Sequence, residues 1–316
     1  MRLFISRPLP EAVLARARAS FDVTLREATT PLGRDEMLAA LRDYDAVLPT
    51  LRDNFSAEIF AEAGDMRAGV LANFGVGYNH IDVAAAKAHG IAVSNTPGAV
   101  TDATADTAMT LILMTARRAG EGERLVRAGK WEGWHPTQML GLHVTGKTLG
   151  VIGMGRIGQA IAHRCHYGFG MEVVFCNRSP KDLDLPARQL GSIEELCAVA
   201  DIVVVATPGG VETTHLIGAE AFRAMQRHAL FINIARGEVV DEAALIAALG
   251  AGELAGAGLD VYEFEPQVPE ALLAMENVVL LPHLGTATLQ ARTEMGMLAV
   301  ENLETFARDG RLVTPV

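Results

Sequence analysis

The sequence GKTLGVIGMGRIGQAIA, residues 146–162, joins a short apolar run to three glycines at fixed spacing. Gly153, Gly155 and Gly158 form a Gly-x-Gly-x-x-Gly pattern directly after the run LGVIG and at the start of a helical pattern. At a strand-to-helix turn, this spacing permits a tight turn, a close approach of the backbone to phosphate, and close packing of helix on strand. The start of the helix offers N–H groups to a pyrophosphate. The stretch therefore predicts a βαβ unit that binds a dinucleotide.

Short apolar runs alternate with Ala-rich helical patterns along almost the whole chain. Their apolar character is continuous, which predicts strands buried on both faces and hence parallel sheets covered by helices. Two series of such runs predict two doubly wound α/β units. The first series is LFIS (3–6), AVLP (46–49), GVLANF (69–74) and IAVSNT (91–96), and the second is KTLGVIGMG, MEVVFCN, IVVVATP, ALFINIA, GAGLDVY and NVVLLP.

The join between the two series lies near Pro97–Gly98 and is followed by the pattern TDATADTAMTLILMTARRAGEGERLVRAG, which predicts one long helix. The last segment, ATLQARTEMGMLAVENLETFARDG, predicts an amphipathic helix that returns to the first unit. We therefore expect a Rossmann-type cofactor domain over residues 99–286. It is inserted into a flavodoxin-like substrate domain made of residues 1–98 and 287–316, with a cleft between the two domains.

Composition limits the classes of function. Lys and Arg number 27 against 38 acidic residues, which gives a net charge of −11 and disfavours nucleic acid or an anionic membrane as a partner. The first apolar run is too short for a signal peptide, and no stretch approaches the roughly 20 apolar residues that span a bilayer. Cys165, Cys176 and Cys197 lack metal-ligand or disulfide spacing and are expected to be buried thiols. We expect a cytoplasmic protein.

The triplet Asn177-Arg178-Ser179 ends the predicted strand after the glycine turn, beside the expected adenosine ribose. An acidic residue there would bind the 2′-hydroxyl of NAD and repel the 2′-phosphate of NADP. Asn177 removes that repulsion, while Arg178 and Ser179 supply a cation and a hydroxyl suited to phosphate. The triplet predicts NADPH as the preferred cofactor and NADH as the less favoured one. The alternative is that Arg178 is a solvated loop residue.

At this point the chain resembles the D-isomer-specific 2-hydroxyacid dehydrogenases over essentially its full length. Within that family, GKWEGWHPTQMLG (129–141) and the Asn-Arg-Ser triplet are most similar to the glyoxylate/hydroxypyruvate reductase branch. The resemblance implies reduction of small 2-keto acids to D-2-hydroxy acids. It rests on NFGVGYNHID (73–82), the glycine stretch, INIARGEVVDEAAL (232–245), GAGLDVYEFEP (256–266) and LLPHLGTAT (280–288).

Reduction of a keto acid needs a proton donor and a clamp for the carboxylate. His283 directly follows a predicted strand, and an imidazole titrates near neutral pH. By resemblance, His283 is the general acid/base and Glu265 is its hydrogen-bonding partner. Arg236 polarises the keto oxygen and pairs with the substrate carboxylate, which the backbone N–H groups of Val76 and Gly77 also hold. Each of these residues taken alone has an ordinary structural alternative.

The resemblance also assigns residues to the cofactor. Asp260 would hold the nicotinamide carboxamide, although a strand-end cap is the alternative, and Thr207–Pro208 would line the adenosine. The remaining cofactor contacts that it implies are Thr104, Arg156, Ile157, Thr213, Ile234, Ala235 and Gly285.

A homodimer is the expected assembly, with an arm over about 101–141. Apolar residues on the long predicted helix (Met109, Leu111, Ile112, Leu113 and Met114) are expected at the contact, because the cofactor unit alone would not cover them. By resemblance, Trp134 reaches the partner subunit and closes its substrate pocket, and the alternative is plain interface packing. Trp131 is read as packing within the arm.

Other functions stay open on the sequence. Within the same family, D-lactate-type and phosphoglycerate-type dehydrogenases are alternatives. Formate dehydrogenase is disfavoured because formate oxidation has no use for His283 as a proton donor. A different class, a non-catalytic NAD(P)-sensing protein similar to corepressors, would bind the cofactor without turnover.

Overall fold

The structure is a computed structural model that describes residues 1–316. In it the chain forms two compact units. The first unit contains Met1–Val100 and Thr286–Val316, and the second contains Thr101–Gly285. The expected domain bounds lie within two residues of this division. The roles of the units as substrate and cofactor domains stay predictions at this point.

Twelve strands build two separate sheets in which every pairing is parallel. The strands are β1 (Arg2–Ile5), β2 (Asp22–Leu25), β3 (Ala46–Leu48), β4 (Val70–Ala72), β5 (Ala92–Ser94), β6 (Thr148–Ile152), β7 (Glu172–Cys176), β8 (Ala187–Gln189), β9 (Ile202–Val205), β10 (Leu230–Asn233), β11 (Gly256–Leu259) and β12 (Val278–Leu280).

Twelve α-helices connect and cover the strands, and none of them combines the length and apolar character that a membrane crossing requires. They are α1 (Glu11–Ser20), α2 (Arg34–Asp43), α3 (Ala57–Ala63), α4 (Val83–Ala88), α5 (Thr101–Ala116), α6 (Ala119–Arg127), α7 (Arg156–Phe169), α8 (Ile193–Val199), α9 (Ala219–Ala224), α10 (Glu242–Ala251), α11 (Glu270–Ala274) and α12 (Leu289–Asp309).

The first unit has the sheet order β2-β1-β3-β4-β5, which is the flavodoxin-like doubly wound order. Helix α12 packs on α1 and β4 of this unit. Gly296 lets it lie close to α1, since a Cβ atom there would stand 2.5 Å from a methyl group of Val13. The amphipathic segment at the end of the chain thus supplies one covering layer of the first sheet.

The second unit has the order β12-β11-β10-β9-β6-β7-β8, which is the Rossmann order with one added strand. Strand β9 shows why its sequence is apolar throughout. Ile202 and Val204 point into one core, Val203 and Val205 point into the other, and all four are fully buried. Burial on both faces confirms the parallel, helix-covered sheets that the apolar runs predict.

Strands β2 and β8 were missed by the sequence analysis, and both lie at an edge of their sheet. β2 alternates between exposed and half-buried residues, and two of the three residues of β8 are exposed. An edge strand with this exposure needs no continuous apolar run. The signal that identified the central strands is therefore absent from these two.

The expectation of one long helix after residue 100 is wrong. Helix α5 ends at Ala116, and α6 begins at Ala119 after Arg118 adopts a left-handed backbone with φ of 52°. The guanidinium of Arg118 donates to both carboxylate oxygens of Glu121, at 2.9 and 2.7 Å. The amide of Leu142 donates to the carbonyl of Ala116 at 2.8 Å, so the returning chain occupies the end of α5.

The expectation that the second unit leaves the apolar residues of α5 uncovered is also wrong. Leu111 and Ile112 are fully buried in that unit's own core, and Met109 and Met114 are half-buried against the same core. Of the five, only Leu113 is exposed, at 37 %. Helix α5 packs against α7 and the strands β10 and β11, and its buried apolar side chains are covered by these elements.

The cysteines are placed largely as expected. Cys165 and Cys197 are buried, and burial raises the pKa of each thiol to about 12. Cys176, at the end of β7, is half-buried. No group of three or more His, Cys, Asp and Glu side chains is arranged to hold a metal ion.

Candidate active site

The predicted cofactor and catalytic residues of the second unit follow the carboxyl ends of its strands. Because parallel strands end at the same edge of a sheet, the loops after them meet there. Four strands are followed directly by such residues: β6 by Gly153, β7 by Asn177, β10 by Ile234 to Arg236, and β11 by Asp260. Thr207–Pro208 begin two residues after the end of β9, and His283 lies three residues after the end of β12.

In the turn formed by Gly153, Gly155 and Gly158, neighbouring atoms leave no room for a side chain at two of the three glycines. Gly153 has φ of +98°, and a Cβ atom there would lie 2.7 Å from the backbone nitrogen of Thr207. A Cβ atom at Gly158 would overlap the carbonyl oxygen of Gly153. Gly155, which precedes α7, has nothing within 4 Å of its Cβ position. Packing within the fold thus explains two of the glycines, and the open space at the third fits a pyrophosphate beside the helix N-terminus.

Asn177 has a structural role that the sequence analysis did not predict. Its Oδ1 atom accepts from the backbone N–H of Met154 at 3.1 Å, and its Nδ2 atom donates to the carbonyl of Ser179 at 2.8 Å. The side chain therefore ties the end of β7 to the glycine turn. A small polar side chain directly after a strand is the only sequence signal for such a tie.

Arg178 forms an ion pair with Glu212, with Nη1 and Oε2 3.1 Å apart and both side chains exposed. Glu212 lies in a 3₁₀ turn, Val211–Thr213, in the loop after β9. The hydroxyl of Thr213 donates to the carbonyls of Pro208 and Gly210, at 2.8 and 3.1 Å, and closes this loop. Glu212 was not among the predicted site residues.

His283 and Glu265 form the pair that the family resemblance implies. Nδ1 of His283 lies 3.0 Å from Oε2 and 3.2 Å from Oε1 of Glu265, and the amide of Tyr262 donates to Oε1 at 3.2 Å. An ionised carboxylate only accepts, so Nδ1 carries the proton in this pair and Nε2 remains for the reaction. Burial raises the pKa of Glu265, but its hydrogen bond to His283 and the charges of His283 and Arg236 outweigh burial and hold that pKa below its usual range.

Asp260 fixes the backbone of the histidine loop. Its two carboxylate oxygens accept from the amides of Leu284 at 2.6 Å and Gly285 at 2.8 Å, and its carbonyl accepts from the amide of His283 at 2.9 Å. His283 has φ of 56°, a conformation that a non-glycine residue adopts only when its surroundings hold it there. Burial raises the pKa of Asp260 in spite of these amides and of His283.

These contacts fit the alternative role of Asp260, a cap at the end of a strand. Its role toward a nicotinamide carboxamide stays a prediction. Thr104 is buried next to the same loop, with its hydroxyl 3.6 Å from the Cβ position of Gly285. Asp260, Thr104 and Gly285 are therefore neighbours, as a shared cofactor contact requires.

Arg236 lies in the turn after β10, and its guanidinium group is largely buried in the protein. Its Nη1 atom donates to the carbonyl of Ala235 at 2.7 Å, while its Nε atom is buried with no partner. Desolvation lowers the pKa of Arg236, and the negative charges of Glu265 and Glu238 partly oppose that effect. A guanidinium stays protonated in proteins, so this buried N–H group requires an acceptor that a ligand carboxylate would supply.

The loop that carries Arg236 is held against the loop that carries Glu265. A Cβ atom at Gly237 would overlap the backbone of Tyr262 and Glu263, so only glycine allows this approach. Asn233 fixes the turn from the other side, since its side chain accepts from the amide of Ala235 and donates to the carbonyl of Arg236. Ile234 and Ala235 are buried within the turn.

In the first unit, Val76 and Gly77 lie in the loop after β4. Asn95 donates to the carbonyl of Val76 at 2.8 Å, and Asn73 donates to the carbonyl of Gly77 at 3.0 Å. The two side-chain amides hold this backbone without using its N–H groups. The carboxylate-binding role of the loop stays a prediction.

Arg156 and Ile157 begin α7, with Arg156 exposed and Ile157 packed against the core. Trp134 lies in the segment between α6 and β6, and its side chain is 79 % exposed. Its role in a partner subunit stays a prediction, as does the homodimer.

Comparison with known proteins decides the family. Residues 109–285 match the family described as D-isomer specific 2-hydroxyacid dehydrogenase, NAD binding domain. The glyoxylate reductase of Thermococcus kodakarensis is 44 % identical over 312 residues, which cover 96 % of this chain and 92 % of that relative. The chain belongs to the D-isomer-specific 2-hydroxyacid dehydrogenase family.

Two solved structures extend the likeness to the whole D-2-hydroxyacid dehydrogenase fold. A protein from Thermus thermophilus is 42 % identical, with a TM-score of 0.92 and full coverage of both chains. The NADPH-dependent glyoxylate/hydroxypyruvate reductase from Sinorhizobium meliloti, in complex with NADP and malonate, is 36 % identical with a TM-score of 0.89. That match covers 100 % of this chain and 96 % of the other.

Gly153→Ala should weaken dinucleotide binding by about 1–3 kcal/mol, the range for a residue forced into a sparsely populated backbone conformation. The new methyl group would also collide with the backbone of Thr207. Fluorescence titration with NADPH measures the change. Gly168→Ala, in α7 with open space around it, is the matched control and should bind as the wild type does. Equal affinities for the two variants would contradict the packing argument.

Proposed function

We propose that this dehydrogenase reduces small 2-keto acids, above all glyoxylate and hydroxypyruvate, to D-2-hydroxy acids, and that it prefers NADPH to NADH. The observation that carries the proposal is the His283–Glu265 pair, 3.0 Å between Nδ1 and Oε2, in a unit that also buries the unpartnered Nε atom of Arg236. The names of the relatives support the substrate, because the curated matches from several archaea are glyoxylate reductases.

Each residue of the proposed active site has a separate role in the reaction. NADPH, when bound, supplies a hydride to the keto carbon. Protonated His283, oriented by Glu265, donates a proton from Nε2 to the keto oxygen and takes it back in the oxidative direction. Arg236 pairs with the substrate carboxylate and polarises the keto group, and the N–H groups of Val76 and Gly77 hold the same carboxylate.

The cofactor preference rests on the end of β7. Asn177 is engaged with the glycine turn and carries no negative charge that would repel a 2′-phosphate. Arg178 is an exposed cation next to it, with Ser179 adjacent. The Sinorhizobium meliloti relative, named as NADPH-dependent, contains NADP in its structure, which supports the same preference for this chain.

Arg178→Ala should weaken NADPH binding by about 1.5–3 kcal/mol, the range for a hydrogen bond to a charged group, and should leave NADH binding almost unchanged. Titration of each cofactor against the variant, followed by fluorescence, measures both affinities. Arg223→Ala removes an exposed cation from α9 and serves as the control for net charge. If Arg178→Ala weakens both cofactors equally, the preference for NADPH does not arise at this residue.

Glu265→Gln should move the pH profile of reduction. The lowered pKa of Glu265 keeps its carboxylate ionised at neutral pH, so the charge that favours protonated His283 is present there in the wild type. Without that charge, the reductive rate should fall off at a lower pH than in the wild type. Rates measured across the range from weakly acidic to weakly alkaline pH test this. A folded variant with an unmoved profile would refute the coupling.

We also propose a homodimer whose contact is formed by the segment around α6. No residue of α6 is buried, and this segment exposes large apolar side chains. A cluster of exposed apolar side chains suits a two-fold contact between two copies of this chain. Those side chains are Val126, Trp131, Trp134 and Leu140. We propose that Trp134 of one subunit limits the substrate pocket of the other to small side chains.

Trp134→Ala should relax the substrate selectivity while it leaves NADPH affinity intact. A panel from glyoxylate and hydroxypyruvate to bulkier 2-keto acids, with NADPH oxidation as the signal, tests both the proposed substrates and this variant. Relative kcat/KM for the bulkier acids should rise by about tenfold, the effect of one or two methylene groups in a pocket. Trp131→Ala is the control and should keep the wild-type ranking. A dimeric Trp134→Ala variant with an unchanged ranking would make Trp134 a packing residue.

A further inference from the structure

The cation proposed to bind the 2′-phosphate already has a partner in the protein. Nη1 of Arg178 and Oε2 of Glu212 are 3.1 Å apart. We propose that Glu212 is a specificity-determining residue whose carboxylate competes with the cofactor's 2′-phosphate for Arg178. It thereby sets how strongly the enzyme distinguishes NADPH from NADH. This inference rests on the proposed preference for NADPH.

The backbone that carries Glu212 is held in place on both sides. On one side, the hydroxyls of Thr213 and Thr214 donate to the carbonyls of Pro208 and Gly210. On the other side, the amide of His215 donates to the carbonyl of Glu238 at 2.8 Å. The ring of His215 also bonds to Glu263 at 2.7 Å. Glu212 therefore projects from a fixed loop.

Arg178 projects from an equally fixed position. Asn177, the preceding residue, is bonded through its side chain to Met154 of the glycine turn and to Ser179. The Arg178 and Glu212 side chains, which are 91 % and 86 % exposed, meet between the loops after β7 and β9. They flank the loop after β6, which carries the glycine turn. The ion pair thus lies where the proposed adenosine site would place the ribose substituent.

Charge and exposure determine how the pair responds to each cofactor. An ion pair this exposed is weak, so a 2′-phosphate with nearly two negative charges displaces the carboxylate. The displaced carboxylate remains close to the phosphate and repels it. NADH has no such phosphate, and its 2′-hydroxyl finds in Glu212 an acceptor of the kind that an acidic residue supplies in NAD-binding sites. Glu212 therefore weakens NADPH binding without weakening that of NADH.

Glu212→Gln should tighten NADPH binding by about two- to tenfold, from the loss of the competing pair and of the repulsion. NADH binding should stay unchanged or weaken. Fluorescence titration of the free enzyme with each cofactor, without keto acid, gives the dissociation constants directly. Glu220→Gln removes an exposed charge from α9 and is the matched control, for which both constants should stay at the wild-type values.

The double variant Arg178→Ala/Glu212→Gln tests whether Glu212 acts through Arg178. The tightening of NADPH binding should be smaller when Arg178 is absent, because only the direct repulsion between Glu212 and the phosphate is then left to lose. The inference is overturned if Glu212→Gln leaves NADPH affinity unchanged, tightens both cofactors equally, or tightens NADPH just as much in the Arg178→Ala background. The proposed cofactor preference is judged separately by the wild-type dissociation constants of NADPH and NADH, and it fails when the two are equal.

Discussion

The carboxylate of Asp260 joins the ends of two neighbouring strands, β11 and β12, through the amides of Leu284 and Gly285. These bonds hold the loop in which His283 adopts a left-handed backbone with φ of 56°. With the backbone set, Nδ1 faces the carboxylate of Glu265, which the amide of Tyr262 in turn holds. The position of the His283 ring thus follows from a few hydrogen bonds to backbone amides and to Glu265.

Two arginines near this edge of the sheet show how environment separates their tasks. Arg236 is desolvated and keeps a buried N–H group without a partner, which fits its proposed pairing with a ligand carboxylate. Arg178 is exposed and paired with Glu212, so its interactions are weak and can be exchanged. In an acidic protein with a net charge of −11, we propose that both cations act locally on anionic groups of the ligands.

The sequence predicts the central features of the fold because they follow from local patterns. Burial on both faces makes β9 apolar throughout, and the turn after β6 needs glycine at Gly153 and Gly158 for steric reasons. The edge strands β2 and β8 lack that burial and leave no such pattern. The break at Arg118 depends on Glu121 and on the chain returning at Leu142, so helical periodicity alone does not reveal it.

Motif and resemblance identified the candidate site residues and the pairing of His283 with Glu265, whereas the partners of Asn177 and Arg178 were found only in the structure. The bond from Met154 to Asn177 and the pair of Arg178 with Glu212 join loops that are far apart in sequence. Contacts of this kind follow from strand order, which places the loops after β6, β7 and β9 side by side. The local sequence pattern of a single helix or strand does not reveal such contacts between loops.

We propose that His283 is the proton donor. The most direct test is single-turnover reduction of glyoxylate by His283→Asn with bound NADPH, since asparagine tolerates the left-handed backbone but has no titratable proton. If His283 donates the proton, the rate of reduction should fall by about 10²–10⁴-fold, with NADPH affinity unchanged. A rate within a few-fold of the wild type, in a folded variant that binds NADPH, would contradict it.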